Sequence, residues 1–389
     1  MTKKIFAIST LVLILLVGVI FVYNFTFKKS APSENNPAAE TVGEGKTNST
    51  ASPKEQTATK KSNEVITAIS DGPVFGAVLA PDQKFIYYFA GENGQLNEVD
   101  FDGKLEKVIF TEEFRNIKKI IWNKQKNKVI IRREDIPGRS KFLLFDLTQK
   151  NVAPLSDSIG FIIWNGLGDK IVYTYNDPKT KKDTLNIAEP NGINWRKISD
   201  INFSSATISA VPGSSDISFW PNPNAFVSSP AVSVSSDGET RKEILKDRLG
   251  ADLLWSPDGK YAAVSYTDQK GGKKTDLALM NADGGQFHSL SFPTFAKKCA
   301  WSADSKFLYC AMPGNIPPEA ILPNNWQEGK TRTADTFWKI EIATGKKDRL
   351  IEADKIGGSY DALNPFLSSD EKTLFFLNKA DGKLYKLEL

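Results

Sequence analysis

The chain has 389 residues, enough for one large all-β domain with additional segments, and its 50 Lys and Arg against 46 Asp and Glu leave a formal charge of only +4. That balance gives no argument for a nucleic-acid partner, which calls for a clustered basic surface. A single histidine (His288) excludes a histidine-based metal site. Two cysteines (Cys299 and Cys310) exclude a disulfide framework and a Cys-rich zinc site while permitting one bridge.

Met1 to Lys4 is short and basic, and Ile5 to Tyr23 is a nineteen-residue run interrupted only by Ser9, Thr10 and Gly18. At 1.5 Å per residue such a run approaches the ~30 Å of a bilayer core. A cleaved signal peptide is the rival reading, but no small-residue cleavage pattern follows Tyr23. We expect an uncleaved single-pass transmembrane anchor over residues 1–27. The placement of Lys3 and Lys4 against Lys28 and Lys29 favours the N-terminus inside and the remainder outside the cytoplasm. Residues 28–63 are rich in Ser, Thr, Pro, Ala, Asn, Lys and Glu and hold little besides Val42 that is apolar. Such a segment cannot offset its ordering entropy, so a disordered linker is expected, spanning roughly 30 Å root-mean-square.

From residue 64 to 389 one unit recurs. Its best example runs from Ala251 to Leu290. An apolar run ends at Trp255, and the turn Ser256-Pro257-Asp258-Gly259-Lys260 follows. Second and third apolar runs, Tyr261 to Tyr266 and Asp276 to Met280, precede an Asp283-Gly284 turn and a short fourth run. Pro and Asp-Gly supply the dihedrals and side-chain hydrogen bonds that tight turns require. Four short antiparallel strands in about forty residues make one blade of a β-propeller. Aligned on the end of the first strand, the units fall at Leu79, Trp122, Trp164, Ala210, Trp255, Trp301 and Leu367, and five of the six gaps lie between 42 and 46 residues. Seven blades follow from that count, with six or eight as alternatives if the weak unit over 204–245 is misread. Trp122, Trp164, Trp255 and Trp301 share one repeated position, which assigns them to packing between neighbouring blades. The last unit ends at Leu389 without a fourth strand. Residues 64–70 look like the fourth strands elsewhere, so the two termini are expected to close the ring and leave no open sheet edge.

The Trp255-Ser-Pro-Asp-Gly-Lys260 turn with its flanking strands resembles the WD40-like repeats of TolB-type propellers. Similar units occur in the propeller domains of prolyl-oligopeptidase-like peptidases. The resemblance spans residues 64–389 and implies an extracytoplasmic propeller of a kind often used to bind proteins. It departs from TolB in having an anchor and linker where TolB carries an α/β domain. It departs from the peptidases in leaving no room for a hydrolase domain.

Little in the repeat region points to catalysis. His288 sits in a fourth strand with no nucleophile elbow nearby, so a Ser-His-Asp triad is not expected. Asp82, Asp258, Asp304 and Asp370 recur in first-to-second strand turns, where Asp is favoured for local hydrogen bonding. Asp100-Phe101-Asp102-Gly103 lacks the later ligands of a calcium loop and reads as a hairpin turn. No cofactor is implied. Cys299 and Cys310 flank one hairpin at equal distances from its centre, which puts them opposite each other and within disulfide reach. Two buried free thiols are the alternative.

The 66-residue gap before Leu367 marks an insertion, Pro313 to Thr333, between the second and third strands of the sixth unit. Its Ile316, Ile321, Leu322 and Trp326 are candidate binding residues if the loop is exposed. The other reading has the loop fold back over its own propeller. Pro221-Asn222-Pro223-Asn224 is a second candidate loop. The expected function is a membrane-anchored, monomeric, non-catalytic module that binds a protein or envelope component. The alternative is a carboxylate- or calcium-dependent hydrolase or lyase with its site at the channel mouth.

Overall fold

The computed structural model describes residues 65–389 except Pro178 and Ser204. The expected membrane span and linker lie outside the described residues. Among those residues no helix is long and apolar enough to cross a membrane.

The strand β1 (Ile66–Ala68) precedes seven meanders. Blade 1 holds β2 (Val74–Leu79), β3 (Phe85–Ala90), β4 (Leu96–Asp100) and β5 (Glu106–Phe110). Blade 2 holds β6 (Ile117–Trp122), β7 (Lys128–Ile136), β8 (Arg139–Asp146) and β9 (Asn151–Pro154). Blade 3 holds β10 (Ile159–Trp164), β11 (Ile171–Asn176), β12 (Asp183–Ala188) and β13 (Arg196–Ile201). Blade 4 holds β14 (Ala206–Ala210), β15 (Ile217–Pro221), β16 (Ala231–Val234) and β17 (Arg241–Leu245). Blade 5 holds β18 (Leu249–Trp255), β19 (Tyr261–Thr267), β20 (Thr275–Asn281) and β21 (His288–Ser289). Blade 6 holds β22 (Cys299–Trp301), β23 (Phe307–Met312), β24 (Thr336–Glu341) and β25 (Lys347–Arg349). Blade 7 holds β26 (Ala362–Leu367), β27 (Thr373–Asn378) and β28 (Leu384–Glu388). All seven sheets are four-stranded and antiparallel, because β1 pairs with β28 in the register Ile66↔Leu387 to Ala68↔Tyr385. The termini therefore close the ring. The count is seven, and the weak unit over 204–245 is a full blade.

Each first strand ends on the residue that anchors its repeat, and local chemistry makes the turn that follows. Asp258 Oδ1 accepts from Ser256 Oγ at 2.7 Å and from Lys260 N at 3.1 Å, while Ser256 Oγ accepts from Tyr261 N at 3.0 Å. The same three bonds recur around Asp304 and Asp370. The anchor tryptophans tie blades together. Trp122 Nε1 donates to Gly76 O, Trp164 to Ile121 O, Trp255 to Ser218 Oγ and Trp301 to Leu254 O, over 2.7–3.1 Å. Seven apolar clusters fill the seven gaps between adjacent blades. The core is thus a ring of interblade layers.

The first strands line the central channel, and in blades 1, 2, 3, 5 and 7 their register against the second strand slips through a bulge. Bulges increase twist and re-aim side chains, which suits the crowded axis of a ring. One end of the ring carries the first-to-second and third-to-fourth turns. The other carries the second-to-third connections and the links between blades.

Candidate functional site

Three second-to-third connections crown the latter end: residues 222–230 of blade 4, 268–274 of blade 5 and 313–335 of blade 6. They are interlocked. Ala225 N donates to Asn324 Oδ1 at 2.9 Å, and Asn324 Nδ2 donates to Asn224 Oδ1 at 3.3 Å. Gly271 N donates to Ala225 O at 3.0 Å, and Leu322 N to Gly272 O at 2.9 Å. Lys273 Nζ reaches Glu319 O at 3.2 Å. The two loops that the sequence offers as separate candidates therefore form one structure, with the blade 5 loop between them.

The long loop is held from beneath by a buried ionic latch. Lys298, at the end of a short 3-10 helix (Ala296–Lys298), is wholly buried and donates to Asp335 Oδ2 at 2.6 Å, Asp361 Oδ1 at 2.7 Å, Thr333 Oγ1 at 3.0 Å and Ala362 O at 3.0 Å. Trp326 Nε1 donates to Asp361 Oδ1 at 2.9 Å, and its indole stacks on Phe295 at 4.4 Å between ring centres. Lys379 Nζ lies 4.4 Å from a ring centre of this indole and donates to the Trp326 carbonyl. Burial raises the Asp335 carboxyl, and Lys298 and Thr333 offset only part of the rise. Burial acts the same way on Asp361, but the Lys298 ammonium and hydrogen bonds from Lys298, Trp326 and Thr333 outweigh it and hold that carboxyl below its ordinary range. Asp361 Oδ2 has no hydrogen-bond partner among the described residues.

These contacts correct one sequence expectation. Trp326 and Leu322 are 2% and 1% exposed, so they are not surface anchors. With Phe295 and Ala320 they form a small core under the loop, and Ile316 packs against it. Ile321 is half-buried, its N–H bonded to Asn325 Oδ1 at 2.8 Å. The physical reason is the pairing available beneath the loop: a flat ring for the indole face and a buried carboxylate for its N–H. The apolar groups the crown exposes are Phe226 and Val227, 46% and 52% exposed, next to the second candidate loop. Exposed Lys270, Lys273 and Lys274 stand on the adjoining blade 5 loop. Gly271 of that loop has φ +76°, a conformation that favours glycine, and it lies against the Phe226 ring.

Inside the ring, Lys119 of β6 lies 4.7 Å from the Phe161 ring centre. Its pKa falls to about 8 through burial and the repulsion of Lys297 and Arg132, with Asp252 acting the other way. Water reaches this side chain even though the surrounding walls desolvate it. Asp252 Oδ1 accepts from Trp220 Nε1 at 3.2 Å, and Asp252 Oδ2 lies 3.8 Å from Lys297 Nζ. Burial raises its pKa. The channel wall thus gathers more cations than anions.

The remaining sequence candidates stay apart from the crown. His288 is exposed on β21, its Nδ1 2.9 Å from Gln286 O. Asp100 closes the β4–β5 turn by accepting from Asp102 N and Lys104 N. Cys299 and Cys310 are directly opposed on β22 and β23, with Cα atoms 4.1 Å apart and sulfurs 2.09 Å apart, a bonded disulfide. Among the described residues no three His, Cys, Asp or Glu side chains gather as a metal site would require. Lys298, Asp335 and Asp361 carry no local sequence signal. Phe226-Val227 carries a weak one, as two consecutive apolar residues beside a Pro/Asn-rich turn.

No protein-family profile matches the chain, and no curated protein matches it in sequence. Solved propellers do match in shape. An oligogalacturonate lyase in complex with manganese superposes with a TM-score of 0.60 at 13% identity, covering 83% of this chain and 93% of that one. An oligogalacturonate lyase from Vibrio parahaemolyticus gives 0.59 at 11% identity over the same shares. The propeller domain of the Trilobed protease from Pyrococcus furiosus gives 0.53 at 10% identity, covering 81% and 92%. At these identities the likeness is one of fold. The chain is a seven-bladed β-propeller of four-stranded antiparallel blades.

Proposed function

We propose that this chain is a non-catalytic binding module, monomeric and displayed outside the cytoplasm on an N-terminal anchor, which offers its crown to a protein or envelope component. The observation that carries the reading is the exposed Phe226–Val227 pair on three interlocked loops. An apolar anchor on a rigid support loses little entropy on binding, and a lysine rim steers an anionic partner toward it. The described chain begins beside Leu389, whose N–H bonds to Lys372 O on a first-to-second turn, so it enters the ring at the end opposite the crown.

The enzyme alternative takes an acidic sugar from the name of the oligogalacturonate lyases. The cationic channel around Lys119 and Lys297 suits an anion, and this is the observation in its favour. The acidic pair nearest the crown, Asp335 and Asp361, is instead closed off under Trp326 and committed to Lys298. The two readings separate in one comparison. Partners are recovered from detergent-solubilised membranes with the unmodified chain and with a Phe226→Ser/Val227→Ser variant. A partner lost only from the variant supports the module. Identical partner lists, or turnover of an acidic oligosaccharide by the purified chain, contradict it.

A further inference from the structure

The end of the ring opposite the crown carries a second surface. A cavity of about 520 Å³ opens across the turns of blades 3 and 4, with Lys124, Asn165, Leu167, Arg196 and Ser214 among its lining. That volume is within the range of specific ligand sites. Leu167, 65% exposed, lines it, and the lining residues Asn194 and Arg196 alternate along the chain with two further exposed apolar residues, Ile193 at 56% and Trp195 at 63%. Single exposed apolar residues need no explanation, but three on the two turns of blade 3 that border one cavity mark a contact surface.

The patch is fixed rather than loose. Asn165 Oδ1 accepts from Gly168 N and Asp169 N at 3.0 and 3.1 Å, and Gln125 Nε2 of the preceding blade holds Leu167 O at 2.9 Å. The turn bearing Ile193 and Trp195 is closed by Glu189 N to Ile193 O at 3.0 Å. Arg196 Nη2 donates to Ser236 O at 2.6 Å, which sets its guanidinium at the cavity wall. A Cβ on Gly166 would lie 2.8 Å from Ser214 O, so that glycine allows the two blades' turns to meet as the floor. The sequence departs from its own repeat at this place: the blade 3 turn is Asn165-Gly-Leu-Gly-Asp-Lys170, with Leu167 replacing the polar turn residues of other blades.

Charge selects the occupant. Lys124, Lys170 and Arg196 face a single lining carboxylate, Asp169, and Lys170 is already bridged to Glu189 at 2.5 Å. Lys124 has no ion-pair partner among the described residues. The wall therefore offers Lys124, and an Arg196 guanidinium that already bonds to Ser236 O and lies near the Asp237 carboxylate, to an anion beside the exposed Leu167. We infer that this groove takes an extended acidic peptide segment of a protein partner. One aromatic or aliphatic side chain packs on Trp195 and Leu167, and flanking carboxylates meet Arg196 and Lys124. Arg at a carboxylate site and Trp at an apolar contact are the residue types that dominate such interfaces.

The test uses the full chain in detergent and the fluorescein-labelled peptide Gly-Asp-Glu-Phe-Asp-Leu-Glu-Gly, read by anisotropy. Saturable, salt-sensitive binding is expected. It should weaken about tenfold or more in Trp195→Ser, in Leu167→Ser and in Lys124→Glu/Arg196→Glu, and stay unchanged in the crown variant Phe226→Ser/Val227→Ser. The proposal is overturned by absence of saturable binding, or by undiminished binding in both Trp195→Ser and Leu167→Ser. It is also overturned if poly-glutamate, which lacks the apolar side chain, binds as tightly as the peptide, because the site would then be a simple polyanion surface.

Discussion

Lys298 shows how far a residue's role can lie from its local sequence. Lys297 and Lys298 are adjacent basic residues, yet the second is buried against Asp335 and Asp361, 37 and 63 positions downstream. Removing one member of a buried ion network leaves the others unpaired, so Lys298→Met is expected to destabilise the fold by about 3–5 kcal/mol at neutral pH. The pH dependence follows from the carboxylates. Without the ammonium both carry raised pKa values in the folded variant, so the variant gains stability as pH falls and they take up protons. Asp361 in the unmodified chain has a depressed value and contributes stability above its unfolded pKa, which is lost as pH falls through the folded one. Denaturant titrations should therefore show the gap narrowing from pH 7 towards pH 4, and a gap that widens on acidification would contradict the latch. The anchor tryptophans and the opposed cysteines were legible because repetition and hairpin symmetry mark them. The cysteine pairing predicts no titratable thiol in denatured, unreduced protein and two after reduction.

At the scale of elements, the insertion was legible from spacing alone, but its orientation was not. A Trp with aliphatic neighbours serves equally as a docking anchor or as a small core. What decides is whether partners wait underneath, and Phe295 and Asp361 arrive from the connections that enter and leave blade 6. Trp326→Ala removes the stack, the indole hydrogen bond and the filler of a buried site, a change that costs about 3–5 kcal/mol in a packed core. The loss is local, because the seven interblade layers do not include Trp326. Hydrogen exchange should then show lost protection in residues 320–331 with the strands of blades 1–3 unchanged. Uniform loss across all blades would mean that the loop is part of the ring's global stability. The inner-strand bulges were illegible for a related reason: a slip against a neighbouring strand leaves no period in the sequence.

At the scale of the whole molecule, regular spacing of 42–46 residues carried the architecture, including the blade 4 unit whose anchor is Ala210 instead of Trp. Ring closure by β1 was legible from a missing fourth strand. The exposed surfaces were less so, because exposure in a propeller depends on which loops lean on one another. The crown joins Asn224 to Asn324, a hundred residues apart, and leaves Phe226 and Val227 facing outward. A photo-crosslinking residue placed at position 226 in the full-length chain tests the central claim most directly, with position 108 on the outer strand of blade 1 as its control. The account predicts one discrete crosslinked partner from position 226 and none from position 108. Equal labelling from both positions, or none from position 226, would contradict a binding role for the crown.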